Sequence, residues 1–302
     1  MSIIERLLWV LLGLFIILNW GMLMGALMRK IVARVGKRIG VRWFQPWLSL
    51  PMLYSTRSSI THGVMYYLGP VFRLSGGVGI FLFMPLIVGS PYFDNFSFAG
   101  DLVLILYFQF FGMLGMALGA GEGGHPYSAI GISRGLAQFT TVEVPLTLAV
   151  ISIAIQYDTL SIKEIAEAQQ GGILNWTLFT NPLATAAALL SMLGIFRHAP
   201  FNLVQAPNEI PIGPPTEYHG TFLGVLRTNG AILHVIEAVL FMNLFFGGAT
   251  NWIELIIKTF LIYFISVFIG VVFPRFRIEQ SVVWFLKIPL IIGILAILVM
   301  IL

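Results

Sequence analysis

The sequence predicts an all-α, polytopic integral membrane protein with about eight transmembrane helices. Three observations carry that expectation. Of 302 residues, 58% are hydrophobic and 10% charged, with mean hydropathy +0.92, whereas a typical soluble domain is about 45–50% apolar and about 25% charged. Apolar runs of the ~20 residues needed to cross a hydrocarbon core as a helix recur along the whole chain. Basic residues gather on alternate connections between those runs.

The first run, Ile3 to Met28, is too long for the apolar segment of a signal peptide, and no small-residue cleavage site closes it, so it reads as a retained helix. Further spans are expected near 69–89, 101–119, 138–157, 182–196, 222–246, 252–273 and 282–301. Eight crossings put both termini on one side. The odd-numbered connections hold Arg29, Lys30, Arg34, Lys37, Arg38, Arg42, Arg57, Arg134, Arg197, Arg275 and Arg277, and the other side has little beyond Arg6 and Lys163. Membrane proteins keep Lys and Arg on the cytoplasmic side. The odd connections are therefore expected in the cytoplasm and both termini outside, in a cytoplasmic membrane. This distribution also explains the net charge of +4 through lipid orientation, with no nucleic-acid partner.

Three cytoplasmic connections, 29–68, 120–137 and 197–221, exceed the ~12–15 residues beyond which an unstructured loop is either functional or disordered. They are too apolar and too rich in Gly, Pro and aromatics for disorder. Trp43, Phe44, Trp47 and Tyr54 in the first suggest a segment lying at the membrane interface, where amphipathic rings partition. Prolines at 200, 207, 211, 214 and 215 in the third remove donors and fix φ, which suits a rigid surface for a partner.

Ionisable groups inside spans are costly and merit a functional hypothesis. Glu143 falls in the fourth span, with Arg134 in the preceding loop as a partner, and is read either as a proton relay or as an ion pair tying loop to helix. Glu237 falls near the middle of the sixth span, with His234 one turn before it and Arg227 two turns earlier again. At 100° per residue the three share a face; the pair His234 and Glu237 is a relay or an interhelical hydrogen-bonding unit. Glu254 and Lys258, spaced i, i+4, read as a salt bridge. Asn19, Gln109 and Asn243 read as interhelical hydrogen-bonding amides. No nucleophile–base pairing or phosphate cradle stands out, and the five His show no zinc-like spacing. No catalytic or metal site is expected. The chain has no cysteine, so a thiolate-ligated cluster would have to sit on another subunit.

The string FRHAPFNLVQAPNEIPIGPPTEYHG, Phe196 to Gly220, resembles the proline-and-acid loop of the H subunit of respiratory complex I. Relatives of that subunit form the membrane anchor of energy-converting hydrogenases and related ferredoxin-linked complexes. The matching positions are Ala199, Pro200, Phe201, Leu203, Ala206, Glu209, Glu217, Tyr218 and Gly220. Two further segments agree: Arg134 with Glu143 in SRGLAQFTTVEVPL, and Arg275, Arg277, Glu279 and Gln280 in PRFRIEQ, followed by Lys287. Departures also occur. Asn202, Gln205 and Pro207 stand where complex I members carry acids, and Ser49 and Met52 stand where Asp and Lys are usual.

The resemblance implies a non-catalytic membrane anchor that docks a peripheral ferredoxin-linked redox module and couples it to H+ or Na+ translocation through antiporter-like membrane subunits. The missing acids favour the membrane-bound hydrogenase or sulfane sulfur reductase branch over a quinone-binding subunit of an NADH or ferredoxin:quinone oxidoreductase. Iron–sulfur clusters, and nickel–iron in a hydrogenase, belong on partner subunits, with no cofactor in this chain. Glu209 and Glu217 are then either docking acids or the mouth of a proton path. Pro200, Phe201, Asn202, Pro207, Pro211, Tyr218, Arg275, Arg277 and Glu279 are expected to form the docking surface. A stand-alone secondary transporter would commonly show internal repeats, and none is evident. A purely structural anchor, with Glu143 and Glu237 in ion pairs, is the remaining alternative.

Overall fold

A computed structural model describes residues 3–57, 62–206 and 209–302. Among them are eleven α-helices: α1 (Ile3–Val35), α2 (Gln45–Ser55), α3 (Val64–Leu82), α4 (Asp101–Gly121), α5 (Pro126–Tyr157), α6 (Ile162–Ala168), α7 (Thr177–Thr180), α8 (Pro182–Ile195), α9 (Gly220–Phe245), α10 (Trp252–Val272) and α11 (Ile278–Ile301). Six of these, α1, α4, α5, α9, α10 and α11, are long and apolar enough to cross a membrane, which makes this a multi-pass membrane protein. The expected spans near 69–89 and 182–196 correspond to α3 and α8. The first carries Arg73 at mid-helix, and the second has 14 residues, about 21 Å of helix, short of the ~30 Å hydrocarbon core.

The bundle is organised around α9. Every residue from Val235 to Phe245 is buried, as fits a helix that sits inside protein and is apolar on all sides except at Glu237 and Asn243. Around it pack α1, α2, α3 and α10, while α5, α8 and α11 form a second group joined to the first through α3 and α4. Outward faces of α1, α10 and α11 expose Leu8, Phe15, Leu261, Ile265 and Leu298, an apolar skin suited to lipid.

Segments without an apolar run are where expectation and structure part. The presumed loop 120–137 is mostly helix, because α5 starts at Pro126, with the His125 side chain accepting from the Tyr127 backbone N–H. Gly131 and Gly135, inside α5, reflect close packing, while Gly123 and Gly124 lie in the short break between α4 and α5. A Cβ at Gly131 would lie 2.7 Å from Pro214 Cδ, so glycine lets the 196–219 loop rest directly on the helix. In the connection 29–68, α2 is tied back by Trp47 Nε1–H to Asn19 Oδ1 at 2.8 Å and by Tyr54 Oη with Thr228 Oγ1 at 2.9 Å. Asn243 donates to the Pro85 carbonyl at 2.8 Å, so Asn19 and Asn243 both join separate elements. Lys258 meets Glu254 at 2.5 Å as the spacing suggested, and also donates to the Phe246 and Gly248 carbonyls.

Candidate functional site

Where α3, α4, α5 and α9 meet the end of α8, an internal cavity of about 20 Å³ is lined by Arg73, Gln109, Gln138, Arg197 and Glu237 among apolar and glycine neighbours. That volume holds one water. A buried arginine, a buried carboxylate and two buried amides inside a membrane bundle, with the partly exposed Arg197 at their edge, are an expensive grouping, since a charge at the bilayer centre costs about 2.5–3.5 kcal/mol on translocon scales. Each element contributes one polar group. Arg73 is on α3, Gln109 on α4, Gln138 on α5 and Glu237 on α9. Arg197 follows α8 with φ +54°, a left-handed conformation uncommon for a non-glycine residue and found at functional positions. The turn places its side chain on the cavity wall. Oxygens of Gln109 (Oε1), Gln138 (Oε1) and Glu237 (Oε2) are sealed from solvent and have no partner among the described residues, so the chamber offers acceptors that a water would satisfy.

Glu237 also approaches His234, Oε2 to Nδ1 at 3.8 Å, beyond direct hydrogen-bond reach and within reach through one water. The His234 ring faces Tyr263 at 5.3 Å between centroids and His198 at 6.1 Å. His198, in the loop after α8, has its Nε2 enclosed without a partner. Burial, with His234 and Arg197 nearby, pushes its pKa down to about 3, so its imidazole is neutral at physiological pH. Arg227 is exposed at the surface and does not join the pair.

The 196–219 loop closes this end of the bundle. Gln138 Nε2 donates to the Phe201 carbonyl at 2.7 Å, and Phe201 is 1% exposed, its ring against Phe276, Trp284 and Phe285. At the other end of the loop, Tyr218 stacks on Tyr66 at 4.4 Å and donates to the Tyr66 carbonyl at 3.0 Å, while Tyr66 Oη–H donates to the Glu217 carbonyl at 2.8 Å. Burial raises the Tyr218 phenol above its ordinary range, which keeps it a donor. The Glu217 carboxylate lies 4.0 Å from His62, and Glu122 accepts from the Tyr66 backbone N–H at 2.5 Å. Two carboxylates and a histidine thus collect beneath the loop.

Three placements correct the sequence reading. Arg134 sits on α5 and pairs with Glu209 at 2.5 Å rather than with Glu143, and Arg275 completes the clasp on the other Glu209 oxygen at 2.5 Å. These hydrogen bonds hold the Glu209 carboxyl below its ordinary pKa, which suits an ion-pair role better than a proton-carrying one. Pro200, Phe201 and Tyr218, expected on a docking surface, are buried in this chain. Pro211, Arg277 and Glu279 are exposed, Asn202 and Arg275 are partly so, and Pro207 lies outside the described residues. Glu143 faces a different direction from Glu237, onto an outer groove lined by Phe110, Thr140, Val144, Thr147 and Leu148. Arg73 and Arg197 escaped the sequence reading. One interrupts a stretch expected only to begin at residue 69, and the other was counted among loop charges; an arginine within a Gly-rich apolar run was the available signal for the first.

Fold and chamber together define a multi-pass membrane protein with charges held in a water-sized interior. The chain belongs to the NADH dehydrogenase family, whose family model matches residues 8–301. It is 28% identical over 296 residues to the H subunit of NADH-quinone oxidoreductase from Helicobacter acinonychis, covering 87% of each chain. Over 241 residues it is 28% identical to the corresponding NADH-quinone oxidoreductase chain of Protochlamydia amoebophila, covering 73% of each. A chain in the structure of the membrane-bound sulfane sulfur reductase, an archaeal respiratory membrane complex, superposes with a TM-score of 0.89 at 31% identity, covering 98% of this chain and 99% of that one.

Proposed function

We propose that this chain is the membrane anchor subunit of a respiratory complex related to complex I, in the branch of sulfane sulfur reductases and membrane-bound hydrogenases. It docks a peripheral, ferredoxin-linked redox module at the end carrying the 196–219 loop and couples that module to H+ or Na+ movement through antiporter-like neighbours. The near-complete likeness to a chain of the sulfane sulfur reductase complex supports the branch. So do Asn202, Gln205, Ser49 and Met52, which replace the charged residues expected of quinone-binding members. The curated relatives are subunits of quinone-reducing complexes, which keeps a quinone-linked complex as the second reading. Without cysteine, the chain leaves thiolate-bound iron–sulfur clusters to its partners. The basic residues flanking α1, α3 and α11 favour a cytoplasmic position for the loop and an outside position for both termini.

The observation that carries the coupling role is the chamber. Glu237 shares a water-sized cavity with Arg73 and Arg197, and Arg197 belongs to the same loop that presents the docking face. A displacement of that loop on redox turnover changes the electrostatic field at Glu237. His234, at 3.8 Å, is the group through which Glu237 exchanges a proton by way of a single water. Glu237→Gln tests this in proteoliposomes containing the purified complex. Electron transfer measured with an uncoupler is expected to persist, while ion uptake falls by roughly tenfold or more. Uptake equal to wild type at equal subunit stoichiometry leaves Glu237 a structural role only.

A further inference from the structure

We infer that an anionic phospholipid binds in the notch between α1, α2 and α9, with its phosphate held between the guanidinium groups of Arg29 and Arg227. The inference needs only the multi-pass bundle and goes beyond the anchor role. α1 and α9 touch at Gly21, where an added Cβ would run into the Ala231 carbonyl. Gly25, one turn on and about 40° around the same face, meets nothing within 4 Å, and Gly230 beside Ala231 is equally open. The two helices therefore part beyond their crossing. Arg29 donates from Nε to the Gly25 carbonyl at 3.2 Å, which holds its side chain against that turn of α1. Arg227 of α9 is close enough for the two charges to repel. Neither arginine forms an ion pair among the described residues.

α2 bridges the two helices, through Trp47 to Asn19 of α1 and through Tyr54 to Thr228 of α9, next to Arg227. These contacts set the depth of the site. Trp and Tyr rings of this kind sit at the headgroup level, and Arg29 follows directly on the apolar run Ile3–Met28, so both cations stand where a bilayer carries its phosphates. An anion between them relieves their repulsion, and a phosphate accepts charge-assisted hydrogen bonds from both guanidinium groups. Juxtamembrane clusters of Lys and Arg draw anionic lipids in the same way. The acyl chains have an apolar path from there, past the open side of Gly25 and over Leu48 and Met52, which α2 leaves exposed. Charge, depth and apolar surface thus fit one ligand, a phospholipid of the leaflet on the side of the 196–219 loop.

A phosphatidylglycerol carrying a photoreactive diazirine on one acyl chain, added to the purified complex in mild detergent, tests this. Adducts are expected on peptides of α1, α2 and α9, with the exposed α10 face around Leu261 as the internal comparison for non-specific labelling. Relative to that face, the yield should fall several-fold when Arg29→Gln and Arg227→Gln are combined. Gly25→Leu keeps both charges and fills the opening, and should lower the yield by a similar factor. Excess unlabelled phosphatidylglycerol should compete, and inorganic phosphate at the same concentration should not. A yield unchanged in either variant overturns the inference, as does labelling of the notch no stronger than that of the α10 face. Competition by inorganic phosphate as strong as by the lipid would mark a soluble-anion site instead, and loss of a peripheral subunit from the double variant at unchanged lipid yield would mark a protein contact; both overturn it. If the double variant does not assemble, Gly25→Leu decides alone.

Discussion

Replacing Gly76 with Ala tests whether the α3–α4 contact sets the width of the chamber. A Cβ at Gly76 would sit 2.6 Å from the Gly112 Cα and 2.9 Å from the Phe108 carbonyl oxygen. Carbon atoms in contact prefer about 3.5–4.0 Å, so the two helices must part by about 1 Å. The opposing atoms are backbone and cannot rotate away. Overpacking of this kind costs about 1–3 kcal/mol, while exchanging Gly for Ala in a helix returns about 0.8–1 kcal/mol. The net expectation for Gly76→Ala is a loss of about 1 kcal/mol, and of about 2 kcal/mol at most. Gly25→Ala is the internal comparison, because nothing lies within 4 Å of its added Cβ and only the helix-forming gain applies. Apparent melting temperatures of the detergent-purified complex, followed by size-exclusion profile after heating, should drop for the first and hold or rise for the second. Since Gly76, Gly112, Arg73 and Gln109 all line the same cavity, Gly76→Ala should also weaken ion coupling. A Gly76→Ala complex that melts with Gly25→Ala and couples normally would refute the close-contact argument.

Phe201→Ala should destabilise by about 3–5 kcal/mol, read as a fall in apparent melting temperature, because its ring is 1% exposed against three aromatic neighbours; a near-neutral result would mean that the loop is not part of the core. Glu209→Gln should reduce thermal stability slightly, as exposed ion pairs do. The Glu209 carboxyl is held below its ordinary pKa by Arg134 and Arg275, so the unfolded state binds its proton more readily. The clasp's contribution is therefore complete above the ordinary carboxylate range and disappears as pH falls through the lowered native value. The melting difference between wild type and Glu209→Gln should stay constant from about pH 6 to 8 and close below about pH 4; a difference that grows on acidification contradicts the pairing.

The apolar helices were legible because lipid imposes one rule on every residue of a span, and run length alone reports it. Their three-dimensional neighbours were not. Arg73 interrupts an apolar run by a single residue, and its value lies in meeting Arg197 and Glu237, which stand far away in sequence. Helix periodicity put His234 and Glu237 together because they are three residues apart, and the 3.8 Å approach follows from that spacing. Nearness along the chain, with Arg134 taken as a loop residue, joined it to Glu143 nine residues on, whereas Arg134 pairs with Glu209 across the fold. Glycines misled in α5, since Gly131 and Gly135 mark places where another segment presses on the helix, a property that only the partner segment reveals.

On the proposed function, the 196–219 loop lets docking and coupling share one device. Its inward residues, Phe201, Leu203, Val204 and Tyr218, are core, and Arg197 at its start lines the chamber. Its outward residues, Pro211 and Ile212, share the surface with Arg277 and Glu279. Between these two faces, Glu209 is clasped by α5 through Arg134 and by the α10–α11 connection through Arg275. A partner pressing on the outer face therefore acts on a short, proline-stiffened segment fixed at both sides. Stiffness of that kind passes a displacement on rather than absorbing it. The group at the inner end of the segment is the Arg197 guanidinium, on the wall of the cavity that buried Glu237 also lines, where charges are less screened than on the open surface.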